Sequence, residues 1–330
     1  MTREQGTVLR RGMLGAAAIA TVALLLLGCG ASSGAPASSP PADDRPVVLT
    51  TFTVLADIAQ QVAGEHLRVE SLTKVGAEIH GYEPTPGDLA RAADADLILD
   101  NGLHLEAWFE QFVAGLDVPH VVVSTGVEPI GIAGADGIPN PHAWMSPRNV
   151  QTYVDNMRTA FIALAPEHAD DFARNAAAYQ RELQTVEDDL LASLAVLPTT
   201  ARALVTCEGA FSYLARDAGL TERYIWAVNA EQQATPRQIA AVIDFVRERE
   251  VPAVFCESTV SDRPMRQVVD SSDADYGGVL YVDSLSEPDG PVPTYLDLIR
   301  HDTATIIAGL SGQSGSSGPP GRPGPTGAAS

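Results

Sequence analysis

A chain of 330 residues with 42 Asp and Glu against 21 Lys and Arg carries a net charge of −21, and 45% of its residues are hydrophobic. That charge argues against nucleic acid as a partner, because holding phosphate needs a basic surface. It favours cations only in a general way and marks no site. The length exceeds one small core, and residues 47–310 fit two lobes of roughly 110–130 residues each.

Arg3, Arg10 and Arg11 precede an apolar run over residues 13–27. At about 15 residues it is short for a membrane span, which needs roughly 20. It ends in Leu26-Leu27-Gly28-Cys29, a small residue then Cys after an apolar core, which resembles a bacterial lipobox. Residues 1–28 are therefore expected to be a lipoprotein signal peptide, with Cys29 lipidated as the first mature residue. An ordinary signal peptide, or an uncleaved anchor that happens to hold a Cys, is the alternative; in each case the rest lies outside the cytoplasm. Residues 29–46 have almost no large apolar side chain and read as a flexible tether. Residues 311–330, rich in Gly, Ser and Pro, read as a disordered tail.

Between these ends, strands and helices alternate. A β-branched strand is predicted over 47–52, then a helix carrying Val54, Leu55, Ile58 and Val62 at helical spacing and closed by Gly64. A strand over 67–73 leads into a loop over 74–86, and Asp88 is placed to cap the next short helix. Strands at 97–99 and 120–123 flank an Asn101-Gly102 turn and a helix over about 105–115. Residues 125–146 show no period. Pro147 opens a helix that Pro166 interrupts, and residues 167–197 then hold one helical pattern free of Gly and Pro. At 1.5 Å per residue that pattern spans about 45 Å, more than one lobe, and reads as a helix joining two. The second half repeats the alternation, with strands at 203–206, 224–228, 254–256 and 279–282 and helices at 210–218, 236–249, 263–271 and 295–310. This order predicts an α/β fold, each lobe a small, mostly parallel sheet flanked by helices, 47–166 and 198–310, joined by the 167–197 helix. Cys207 and Cys256 fall in two predicted strands that adjacency could bring close, and the expectation for them is two buried free thiols.

Four separated segments each offer one metal ligand beside turn residues: Glu78-Ile79-His80-Gly81-Tyr82, Asn140-Pro141-His142-Ala143-Trp144, Cys207-Glu208-Gly209-Ala210 and Tyr281-Val282-Asp283-Ser284. Two come from each half of the chain, so a site built from them lies between lobes. Ligands in such sheets bind beyond the carboxyl ends of the strands, where Glu208 and Asp283 are predicted to sit. Two imidazoles and two carboxylates form a mixed N/O set for a divalent transition metal. His104 follows a strand and is a weaker candidate for the cleft. His66, His120, His168 and His301 read as surface or helix-end residues. Trp144 reads equally as a shield over the metal or as core, and Arg263 equally as a partner of Glu257 or as a surface residue.

These segments resemble the metal-binding lipoproteins of ABC-type manganese and zinc uptake systems, the family that includes the streptococcal surface adhesin lipoproteins. The resemblance covers most of 47–310. It departs at Glu78-Ile79, where the family usually has Asp-Pro before the first His. It implies that His80, His142, Glu208 and Asp283 ligate the metal. Glu at the third position goes with the manganese or iron branch, whereas His there goes with zinc. The implied function is a monomeric, lipid-anchored solute-binding protein that captures Mn2+, with Zn2+ or Fe2+ as alternatives, and delivers it to a membrane-embedded ABC permease without performing chemistry. Protonation of the two histidines is expected to weaken binding below about pH 6. An extracytoplasmic metallohydrolase is the competing class, but no HExxH or GxSxG motif accompanies the ligands. An adhesin in which the metal is structural is a third reading.

Overall fold

The computed structural model describes residues 43–113, 115–133, 137–228 and 234–312. The expected signal peptide, Cys29, most of the tether and nearly all of the tail lie outside the described residues. Among the described residues no helix is long and apolar enough to cross a membrane.

The first lobe is a four-stranded parallel sheet in the order β2-β1-β3-β4, from β1 (Val47–Thr50), β2 (Arg68–Ser71), β3 (Leu97–Asp100) and β4 (His120–Val122). Central β3 is buried along its whole length, which is why Leu97, Ile98 and Leu99 form a continuous apolar run rather than an alternation. Helix α1 (Thr53–Ala63) turns Val54, Leu55, Ile58 and Val62 inward. Helix α2 (Pro86–Ala93) begins with a reciprocal cap between Thr85 and Asp88; Asp88 stands three residues inside the helix, and Thr85, not Asp88, is the capping residue. A short α3 (Ala107–Val113) and the longer α4 (Pro147–Leu164), capped by Ser146, complete this lobe.

Helix α5 (Ala169–Ala195) runs 27 residues, about 40 Å. Its buried stripe of Phe172, Ala176, Tyr179, Leu183, Val186, Leu190 and Leu194 packs against α1 and α4 at one end and, at the other, against α6 (Ser212–Ala218) and α9 (Tyr295–Leu310). One apolar cluster therefore runs from Val48 to Leu310 through both lobes.

The second lobe pairs β5 (Ala203–Glu208) with β6 (Thr221–Trp226), and β7 (Ala253–Glu257) with β8 (Asp275–Leu280), all parallel. Helices α7 (Pro236–Arg249) and α8 (Arg263–Asp270) cover it. β5 and β7 run side by side, with the Cα atoms of Cys207 and Cys256 4.9 Å apart, and the two cysteines form a disulfide. This corrects the expectation of free thiols: strand adjacency places them opposite one another, a tertiary fact that spacing does not encode. β6 and β8 begin three and four residues, and end two residues, earlier than predicted. Both are half-exposed outer strands with polar or Gly-containing starts, so they lack the apolar run that marks β5 and β7.

Candidate metal centre

The four segments converge where the parallel strands end. His80 lies in the loop between β2 and α2, and His142 precedes a single 3-10 turn, Ala143–Met145. Glu208 is the last residue of β5, and Asp283 lies three residues beyond β8. The long connection over 123–146 is shaped by an isolated antiparallel bridge between Gly131 and Pro139, and the Asn140 N–H donates to the Ile130 carbonyl. That bridge delivers Asn140-Pro141-His142 to the centre.

His80 Nε2 lies 3.1 Å from His142 Nε2 and 3.5 Å from Glu208 Oε1. His142 Nε2 lies 4.0 Å from Glu208 Oε1 and 3.8 Å from Asp283 Oδ1. Donor atoms around one ion, with bonds of about 2.1 Å, sit roughly 3.0–3.5 Å apart; His80 stands at that spacing from His142 and Glu208, and one donor atom from each of His80, His142 and Asp283 lies within 4.8 Å of the other two. The side chains of His142, Glu208 and Asp283 are no more than 1% exposed, and that of His80 is 5% exposed. Among the described residues no donor reaches Asp283 Oδ1, although it is buried; Oδ2 accepts from Thr259 Oγ1 at 3.2 Å. A buried carboxylate oxygen aimed at imidazole nitrogens is costly unless a cation or proton compensates it.

Each ligand is held from behind. Glu78 accepts the His80 and Gly81 backbone N–H groups, at 2.8 and 2.9 Å, so the departure from the family's usual Asp leaves a carboxylate folding the loop around His80. Trp108 Nε1 donates to the Ile79 carbonyl. Asn140 Oδ1 accepts from both the backbone N and Nδ1 of His142, at 3.0 and 2.9 Å. With Nδ1 as the donor, His142 Nε2 turns its lone pair to the centre. Asn140 Nδ2 reaches across to the Gly209 carbonyl at 2.6 Å, next to Glu208. Buried Glu257 accepts the Glu208 backbone N–H, with its two oxygens at 3.3 and 3.2 Å. Trp144 is fully buried, packs 5.1 Å from the His142 ring and donates to the Val282 carbonyl, so it is wall and core at once.

Burial controls the charge states. It lowers His80 to about 4, and it holds His142 well below the ordinary histidine range, helped by the charge of His80. Burial, then the Glu78 carboxylate, raises Asp283 to about 7 against the Thr259 hydrogen bond. Burial also raises Glu257 to about 8. The metal-free protein thus keeps its imidazoles neutral and ready to coordinate, and the proton that must leave is carboxylic. Proton competition in the metal-free centre therefore falls on Asp283 rather than the histidines, and its onset lies near pH 7 rather than 6.

His104 is exposed and stands outside the centre. Arg263 is exposed while Glu257 is buried, and no ion pair joins them among the described residues. The supporting roles of Asn140 and Trp108 escape sequence reasoning, apart from the position of Asn140 inside the Asn-Pro-His segment; Glu257 was read as a candidate partner of Arg263, and its partner is instead the Glu208 backbone N–H.

Two α/β lobes joined by α5, with a buried imidazole–carboxylate cluster where their strands end, are the arrangement of a receptor that holds a metal ion between lobes. A family model described as zinc-uptake complex component A, periplasmic, matches residues 48–309, and the chain belongs to this family of metal-binding ABC substrate-binding proteins. The iron-binding protein YfeA of Yersinia pestis is 52% identical over 265 residues, 79% of this chain and 85% of that protein. The manganese-binding lipoprotein MntA of Halalkalibacterium halodurans is 34% identical over 294 residues, 89% of this chain and 97% of its own. The Mn-bound periplasmic metal binding protein of Candidatus Liberibacter asiaticus is 39% identical with a TM-score of 0.76, covering 81% of this chain and 100% of that one.

Proposed function

We propose that this chain is the lipid-anchored receptor of an ABC importer for divalent transition metal, with Mn2+ as preferred cargo and His80, His142, Glu208 and Asp283 as its ligands. The observation that carries this is the convergence of two Nε2 atoms and two carboxylate oxygens, each within 4.0 Å of a neighbour, in a buried centre. Two carboxylates make the set harder than a thiolate or all-imidazole site and permit the higher coordination that manganese and ferrous iron accept. The names of the relatives support Mn2+ and Fe2+: one is called manganese-binding, the 52% identical one iron-binding. Fe2+ is therefore the second reading. Cys29 supplies the anchor and a membrane permease receives the ion from the monomeric receptor.

The test is titration of metal-stripped residues 30–330 with Mn2+ and Fe2+, on the wild type and on Glu208→Ala and Asp283→Ala. About one Mn2+ per chain, lost in both variants, is expected. Tight Fe2+ binding with weak Mn2+ binding would reassign the cargo, and binding that survives both substitutions would refute the ligand set. Zn2+ is read only in competition, because its place above manganese in the Irving–Williams order makes tight binding uninformative.

A further inference from the structure

A second group of metal-ligating side chains lies where α1 ends and α5 begins. His66 stands in the turn after α1, His168 closes the 3-10 turn Pro166–His168, and Asp171 is in the first turn of α5. The two imidazoles stack, with centroids 3.8 Å apart and planes 16° apart. His66 Nε2 lies 2.8 Å from Asp171 Oδ2, while Arg174 pairs with the other oxygen, Oδ1. One donor atom from each of His66, His168 and Asp171 lies within 4.8 Å of the other two. Phe172 stands edge-on to His66 at 5.9 Å and beside His168 at 6.2 Å, so both rings share an apolar wall while solvent reaches their outer side.

The backbone carrying these groups is fixed. Asn175 Nδ2 donates to the Val62 carbonyl, tying the end of α1 to α5. Gly64, at φ 59°, makes the turn, and a Cβ there would stand 2.7 Å from Asn175 Nδ2. The His168 N–H donates to the Ala165 carbonyl. A His66–Asp171 ion pair alone accounts for one imidazole and leaves the second, stacked one without a role. A divalent cation that displaces the His66 contact from Asp171 Oδ2 and turns the rings out of their stack would engage one nitrogen of each ring and that oxygen.

We propose that His66, His168 and Asp171 form a second, surface cation site of the zinc class. Two imidazoles and a single carboxylate suit Zn2+, Ni2+ and Cu2+ and hold Mn2+ weakly. Three protein donors leave the remaining positions to water. The bound ion pins the end of α1 to the start of α5. Where the central cluster takes both ions, zinc titrations therefore read one equivalent more than manganese titrations.

The test counts bound Zn2+ and Mn2+ by equilibrium dialysis and elemental analysis on metal-stripped residues 30–330 at pH 7.5, for wild type and for the His66→Ala, His168→Ala double variant. The expected result is about one Zn2+ per chain lost in the double variant with the Mn2+ count unchanged; the retained Mn2+ also certifies the fold. Equal zinc counts in the two proteins overturn the proposal. An independent measurement needs no substitution: one equivalent of Zn2+ added to Mn2+-saturated protein should shield His66 and His168 from diethylpyrocarbonate, mapped by mass spectrometry. Unchanged modification of both histidines would equally refute the site. If the central cluster binds no metal at all, the zinc difference between the proteins still decides the question.

Discussion

Comparing two replacements of Asn140 separates metal affinity from fold stability. Its Oδ1 takes two hydrogen bonds from His142 and its Nδ2 gives one to the Gly209 carbonyl and one, at 3.2 Å, to Ser212 Oγ. Asn140→Ala leaves the buried Nδ1 of His142 without a partner, at about 1–3 kcal/mol. The free imidazole then relieves that loss by moving its proton to Nε2, the atom meant for the metal. Binding must reverse the shift, so affinity falls along with stability. Removal of a group that orients a ligating histidine typically costs 10–100-fold, or about 1.4–2.8 kcal/mol. Asn140→Asp keeps an acceptor for His142 but loses the donor to Gly209 and faces a carboxylate toward that carbonyl. It should hold Mn2+ affinity within about tenfold of wild type while lowering the stability of the metal-free protein by about 2 kcal/mol or more. The assay is Mn2+ calorimetry beside urea unfolding of the stripped protein. Wild-type Mn2+ affinity in Asn140→Ala, with an intact fold, would show that Asn140 does not set the His142 tautomer.

The metal-free protein should lose stability as pH rises from 6.5 to 8. Asp283 at about 7, and Glu257 and Glu106 at about 8, are raised chiefly by burial, so the folded state keeps protons that the unfolded chain has released. Their contribution is full below the ordinary carboxylate range and disappears as pH climbs through the raised values, with a slope of up to about 1.4 kcal/mol per pH unit per group. His80, lowered to about 4, opposes this only between about 4 and 6.5, which leaves the higher window uncompensated. A melting temperature that rises from pH 6.5 to 8 would contradict these assignments. Gly102→Ala should destabilise by about 2–4 kcal/mol, read by urea unfolding: Gly102 has φ 75°, and a Cβ there would meet Val122 Cγ1 at 2.3 Å. An unchanged midpoint would mean that the segment relaxes freely.

Helices announced by caps and apolar stripes were legible to the residue. Pro236–Arg249 and Tyr295–Leu310 begin and end as predicted, the former after a Thr235–Gln238 reciprocal cap. The buried strands β3, β5 and β7 were legible because their apolar runs need no partner to be recognised. The outer strands β6 and β8 were not, since pairing at an exposed edge selects for little. The four residues of the central cluster were named from turn chemistry and resemblance, and the structure brings them within 4.0 Å of a neighbour. Their supports were illegible as contacts because each is a long-range hydrogen bond: Asn140 to Gly209, Trp108 to Ile79, and Glu257, which the sequence marked near the site, to Glu208 rather than Arg263. The His66–His168 stack and the Cys207–Cys256 bond were illegible for the same reason. Both join residues far apart in the chain through adjacency that only the fold creates.

The ties behind the central cluster also constrain how an ion can arrive and leave. Gly76 N donates to Ser284 Oγ at 2.7 Å, Asn140 Nδ2 to the Gly209 carbonyl, and Trp144 Nε1 to the Val282 carbonyl, each spanning the two lobes beside a candidate ligand. Tyr295 adds its hydroxyl to the Trp144 carbonyl and its N–H to Asp57. Opening the lobes as a hinge would break these bonds together and split the single apolar cluster that α5 holds in common. Local movement breaks fewer of these bonds. His80 is the most exposed of the four side chains, and its loop is held by the Glu78 carboxylate, the Trp108 indole and the Ser284 hydroxyl. Withdrawal of that loop would uncover His142, Glu208 and Asp283 while leaving their own supports intact. Exchange through the His80 loop rather than a whole-lobe swing is therefore the expected route, and amide hydrogen exchange no faster at residues 76–82 than across α5 in the metal-free protein would contradict it.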